Sequence, residues 1–177
     1  MTWTLLGNGC DKKFYVEGAA GGYGAICCTT VVAARETKAY IDLKNLDLTI
    51  IPTILPWTYP GGIDTGSGVV KPQYMIERLN ITGTFKPQMC ALVVFTKVKK
   101  MLAEGNREHL LASFNEIELK LDRICKIVGE LTLCVDKTTG KLFMLDFSPA
   151  ENGNRAINQI DTIRTGIANI KASLGAH

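Results

Sequence analysis

A chain of 177 residues, 46% hydrophobic and 21% charged, is long enough to bury a core without metal or disulfide staples and too apolar to be disordered. Its formal charge of +3 and pI near 8.5 fall short of the clustered basic surface that nucleic-acid binding draws on. Its longest apolar run, Ile50–Trp57, is broken by Pro52 and Pro56 and is far short of the roughly 18 residues a membrane span needs.

The opening segment Met1–Cys10 has neither a basic n-region nor a long apolar h-region. A cytoplasmic location is therefore expected, or an assembled particle if the chain is viral. In that setting the six cysteines, Cys10, Cys27, Cys28, Cys90, Cys125 and Cys134, are expected as reduced thiols.

The first hundred residues read as β-rich. Phe14 and Val16 alternate with Lys13 and Glu17, and Ile26 to Ala33 is a continuous apolar, β-branched run. Tyr40 to Ile51 repeats the pattern, with Leu46, Leu48 and Ile50 facing one way and Asp47 and Thr49 the other, the period of two that a half-buried strand requires. Gly18, Gly21, Gly22 and Gly24 separate two runs as a tight hairpin or a close backbone contact. Pro60-Gly61-Gly62 and Gly66-Ser67-Gly68 mark a loop. Tyr74 to Phe85 is expected as another strand. Met89 to Val98 suits a strand through Val93, Val94 and Phe95, with a buried helix as the other reading.

Residues 106–175 read as helix, hairpin, helix. From Asn106, a good N-cap residue, apolar side chains fall at Leu110, Phe114, Ile117, Leu121, Ile124 and Val128, one stripe of a helix that Gly129 ends. Glu116 with Lys120 and Asp122 with Lys126 form i,i+4 pairs on its wet side. Leu131 to Val135 and Leu142 to Phe147 flank a turn at Asp136–Gly140, where Gly140 supplies a positive φ. A last helix begins near Asn152 or Asn154 and carries Ile157, Ile160, Ile163, Ile167, Ile170 and Leu174 on one side. Such a seam suits either the chain's own core or association with another copy.

Four strings invite chemistry. Ile63-Asp64-Thr65-Gly66-Ser67-Gly68 resembles the Asp-Thr-Gly-Ser segment of the aspartic proteases, and Ile127-Val128-Gly129 is similar to their apolar-apolar-Gly segment. The resemblance implies a dimeric hydrolase in which Asp64 shares a proton with its mate and activates water. It departs from that family in what precedes the aspartate: Tyr59-Pro60-Gly61-Gly62 is turn chemistry where the family has an apolar strand. The cluster Gly18–Gly24 misses both the Walker and the dinucleotide-binding spacing, so no cofactor is expected. Adjacent Cys27 and Cys28 are the weak candidates for a soft metal or a cross-link, without any C-x2-C spacing beside them. Pro52, Pro56 and Pro60 stiffen a loop that presents Trp57 and Tyr59, residue types favoured as anchors in interfaces.

These patterns predict a single α+β domain over 1–177, with a β-rich part (1–100) forming an antiparallel sheet or sandwich. Against it pack two amphipathic C-terminal helices that flank a β-hairpin (106–175). The function expected first is a non-enzymatic structural or assembly protein, of the kind found in viruses, phage tails or filaments. It would form a homo-oligomer through Ile160, Ile163, Ile167, Ile170 and Leu174 together with Trp57 and Tyr59. The alternatives are a hydrolase using Asp64 and a small-ligand module using Trp57 and Tyr59.

Overall fold

The computed structural model describes residues 2–9, 11–18, 22–91, 95–147 and 155–175. The class is α+β, as the sequence predicts. The chain divides into two compact units, Met1–Arg35 with Pro52–Leu79, and Glu36–Ile51 with Asn80–His177.

The first unit is built on strands β1 (Thr4–Asn8), β2 (Lys13–Val16) and β3 (Tyr23–Cys27), followed by the opening turns of helix α1 (Thr30–Lys44). After the crossing to the other unit and back come β4 (Ile54–Pro56), a small hairpin of β5 (Ile63–Asp64) and β6 (Val69–Val70), and β7 (Tyr74–Glu77). Five strands make one antiparallel sheet in the order β1-β2-β3-β7-β4. The register sets Leu5, Tyr15, Ala25, Met75 and Leu55 in one row across the sheet, and Phe14, Ile26 and Tyr74 in a row on the opposite face. Each face has its own apolar cluster. Ile63 of the β5–β6 hairpin covers Tyr15 and Ala25, joined by Trp3, Cys27 and Trp57, while Ala33 of α1 covers Ile26 and Tyr74, joined by Phe14, Cys28, Ile54 and Ile76.

The glycine-rich segment does form the β2–β3 hairpin, with Gly18 and Gly22 at φ of 70° and 71°. Gly24 is also the close contact: a Cβ there would stand 2.1 Å from the Phe14 ring. Gly21, with residues 19 and 20, lies outside the described residues.

Four strand expectations in the first hundred residues are corrected, those for 26–33, 40–51, 74–85 and 89–98. Residues 30–44 are helix, because Ala33, Ala34, Ala39 and the intervening charged residues are strong helix formers and Ala33, Glu36, Ala39 and Leu43 bury one side. The Thr29 hydroxyl accepts from the Val32 N–H at its start. Residues 45–51 that follow are turns, although Leu48 and Ile50 are buried and Asp47 and Thr49 exposed in the alternation expected of a strand. Lys120 donates to the Leu46 carbonyl at 2.6 Å, Glu116 accepts from the Thr49 N–H and hydroxyl at 2.7 Å each, and Met144 N–H donates to Ile50. Thus Glu116 and Lys120 bind this turn. Met89 lies in a 3-10 turn (Pro87–Ala91) and Val98 in helix α2 (Thr96–Ala103), where Val98 and Leu102 are buried at helical spacing; Val93 and Val94 lie outside the described residues. The expected strand 74–85 is two pieces, since β7 ends at Glu77 and Phe85 pairs alone with Leu133.

The second unit continues with α3 (Arg107–Ile127), strands β8 (Thr132–Val135) and β9 (Leu142–Leu145), a helical turn α4 (Arg155–Asn158) and α5 (Ile160–Ser173). Here the apolar stripe of α3 and the hairpin hold residue by residue, while the expected last helix is split into α4 and α5 and Asp122 pairs with Arg164 instead of Lys126. Asn106 caps α3 by accepting from the His109 N–H, and Leu110, Phe114, Ile117, Leu121, Ile124 and Val128 are fully buried. β8 and β9 form the hairpin with Gly140 at φ 73°. The start of the last helix at Asn152 or Asn154 lies outside the described residues.

α5 packs on α3 and on the Pro87–Ala91 turn, and the polar rims are tied by Lys171–Glu118 at 2.6 Å and Arg164–Asp122 at 3.2 Å. Arg107 donates from Nε to the Leu174 carbonyl and from Nη2 to Gly175 at 2.6 Å, placing a cation at the negative end of α5. Asp136, 5% exposed, accepts from the Asn80 N–H at 3.0 Å, the Thr138 N–H and the Thr139 hydroxyl at 2.7 Å. Burial works to raise its carboxyl. The Thr139 hydroxyl and the N–H groups of Asn80, Thr138 and Thr139 outweigh burial and leave the carboxyl below the ordinary aspartate value.

Candidate functional site

Asp64 ends the two-residue strand β5, exposed to solvent. Its carboxylate Oδ1 accepts from the Gly66 N–H at 2.9 Å, its carbonyl accepts from the Trp3 N–H at 2.8 Å, and Thr65 closes the turn onto the Gly68 carbonyl. These bonds are those of an aspartate that shapes a turn. An aspartic dyad needs a second carboxylate close enough to share a proton, so on this geometry a protease would have to draw that carboxylate from elsewhere.

Trp57 and Tyr59 follow strand β4, which ends at Pro56, and take different environments. Trp57 is half-buried on Tyr15, Ala25 and Ile63, edge-on to Trp3 at 6.2 Å, and its indole N–H donates to the Gly61 carbonyl at 3.1 Å. Tyr59 packs edge-on to Trp57 at 5.0 Å and remains 60% exposed. The three rings make one aromatic ridge with a fixed inner member and an open outer one.

The five C-terminal candidates separate. Ile163, Ile167 and Ile170 have no solvent exposure in the single chain, while Ile160 and Leu174 are half-buried at the two ends of α5. The seam is occupied by α3 and the Pro87–Ala91 turn. Reaching a partner through its three central isoleucines would require α5 to leave its place.

Cys27 and Cys28 point into different clusters on opposite faces of the sheet, Cys27 beside Tyr15 and Cys28 beside Ile26. Cys27 ends β3 and Cys28 is the first residue past it, and packing on opposite faces keeps the two sulfurs from converging on one metal ion. Among the described residues no group of three His, Cys, Asp or Glu side chains is placed to hold a metal. Burial raises the Cys27 thiol, with Lys13 opposing it. A shallow hollow of about 240 Å³ opens beside Cys27, lined by Asn8, Gly9, Asp11, Lys12 and Lys13. No described helix is long and apolar enough to cross a membrane.

What sequence reasoning missed is β1. The run Thr2-Trp3-Thr4-Leu5-Leu6 before Gly7-Asn8 carries a strand-and-turn signal in β-formers followed by a breaker. It becomes the sheet's edge, with Leu5 and Leu6 (56% exposed) in solvent. Val69 and Val70 on the β5–β6 hairpin are exposed as well, Val69 to 72%. The chain matches no protein-family model, and comparison with the curated proteins and with the solved structures returns no match either.

Proposed function

We propose that this chain is a non-enzymatic assembly protein that forms a homo-oligomer, a subunit of a particle or filament, and that it associates through its N-terminal unit. One observation carries the proposal. Of the eleven large apolar side chains exposed among the described residues, eight (Leu5, Leu6, Tyr23, Val31, Leu55, Tyr59, Val69 and Val70) belong to that unit. Large apolar side chains left in water are what association can bury, and Tyr59 on its braced Trp57 is an anchor held at low entropic cost. With the isoleucines of α5 taken up in the chain's own core, this unit takes over the role first given to them.

Size-exclusion chromatography with light scattering tests the proposal, run with and without reductant across a concentration series. The expected result is a discrete oligomer whose size does not depend on reductant, since Cys27 and Cys28 are turned into the sheet's two faces. A monomer at every concentration overturns it.

A further inference from the structure

A strand at the edge of a sheet leaves alternate N–H and C=O groups unpaired, and proteins guard such edges with charge, proline, bulges or covering loops. The two edges of this sheet differ. β4 has Pro56 within it and Pro52 just before it. β1 is Thr-Leu-Leu-Gly-Asn, with neither charge nor proline, and is exposed along most of its length. The hairpin β5–β6 covers its start, where the Trp3 N–H donates to the Asp64 carbonyl. Outward groups alternate along a strand, so the N–H and C=O of Leu5 face the same outer side. The register shift between Leu5 and Gly7 leaves Leu6 out of the ladder with β2, its side chain in solvent.

We propose that β1 of one copy pairs antiparallel with β1 of a second copy, joining their sheets into one. The inference rests on the homo-oligomer reading and names its surface. Two observations select this partner and this direction. Self-pairing of an uncharged strand sets no like charges across the seam. Lys13 stands opposite Asn8 at the far end of β1, on the sheet face that Tyr15 shares and the β5–β6 hairpin covers, and Asp64 stands at the near end beside Trp3; both are exposed. A two-fold axis through the middle of β1 keeps that face on the same side in both copies. It lays the Lys13 end of each against the Asp64 end of the other, so the attraction occurs twice. Parallel pairing would set like charge beside like.

Sedimentation velocity of the full chain over a concentration series tests this with Leu6→Lys, Lys13→Gln, Asp64→Asn and the double variant Lys13→Gln/Asp64→Asn. Circular dichroism checks that each is folded, and Asn at 64 keeps the acceptor for the Gly66 N–H. Leu6→Lys is expected to raise the dissociation constant at least about tenfold, because a lysine on the edge opposes strand pairing. The two single charge variants are each expected to raise it about three- to tenfold and the double variant no further, since all three remove the same ion pair. An oligomer with an unchanged constant in folded Leu6→Lys overturns the edge pairing and leaves the homo-oligomer reading standing. Additive effects of the two charge changes overturn the antiparallel arrangement. If Leu6→Lys unfolds, the charge variants decide alone. A wild-type chain that stays monomeric sinks both proposals.

Discussion

Replacing Gly166 by alanine separates an ordinary helix glycine from one on which the second unit's packing depends. In an exposed helix the change would stabilise by about 1 kcal/mol, the helix-propensity difference between the two residues. Here an added Cβ would stand 1.7 Å from the Pro87 carbonyl oxygen and 2.5 Å from its carbon. No rotamer relieves that overlap, because the atoms struck belong to backbone. α5 must back away by about 1.5 Å to restore an ordinary separation. The neighbours that would lose contact are Ile163, Ile167 and Ile170, all without solvent exposure. Overpacking a tight site costs about 1–3 kcal/mol, and the upper part of that range applies because even a gap of about 0.5–1 Å forfeits a quarter to a half of the dispersion energy along a seam. With about 1 kcal/mol of propensity gain subtracted from the upper part of that range, the net expectation is a loss of about 1–2 kcal/mol. Urea denaturation followed by circular dichroism measures it, with exposed Ala168→Gly in the same helix as the reference for propensity alone. A Gly166→Ala protein as stable as wild type, or more so, refutes the close-approach argument.

Two further expectations concern buried titratable groups. The folded Asp136 carboxyl lies below its ordinary value. Its contribution is therefore complete above the unfolded aspartate pKa of about 3.9 and drains away as the pH falls through the lower folded value. Asp136→Asn should cost about 1–3 kcal/mol at pH 7 and flatten the loss of stability on acidification; denaturation midpoints at pH 7 and pH 3 that shift in parallel with wild type would contradict this. Burial, with Asp136 beside it, pushes the Cys134 thiol up to about 12, and burial raises Cys125 and Cys90 to about 11. Iodoacetamide at pH 8 should accordingly label half-buried Cys28 well before Cys134 in the folded chain, and mass spectrometry showing equal rates would count against it.

Helix α3 and the β8–β9 hairpin were legible because their signals are local. A 4-3-4 spacing of Leu, Phe and Ile leaves one conformation that buries all of them, and Asn106 and Gly140 carry their roles in their own backbone preferences. The same reasoning misled at residues 40–51. A short alternation of buried and exposed side chains is compatible with a strand or with turns, and it was Lys120 and Glu116, far along the chain, that held turns there. The seam of α5 shows the limit most clearly: periodicity marked Ile163, Ile167 and Ile170 for burial and left open what would cover them. The Pro87–Ala91 turn and α3 answered that, through a glycine whose sequence context is ordinary.

At the candidate surface, the sequence by itself marked the segment around Trp57 and Tyr59 as stiff, since three prolines restrict the backbone wherever it folds, and only the tertiary structure tucked Trp57 inward and left Tyr59 open. The Pro-Gly-Gly and Gly-Ser-Gly that flank Asp64 marked turns on either side of it. Only the tertiary structure decided that β1 is an edge, that β7 lies between β3 and β4, and that Lys13 and Asp64 stand at opposite ends of the same open strand. Strand order depends on which distant segments meet, and no periodicity within one segment encodes its neighbour.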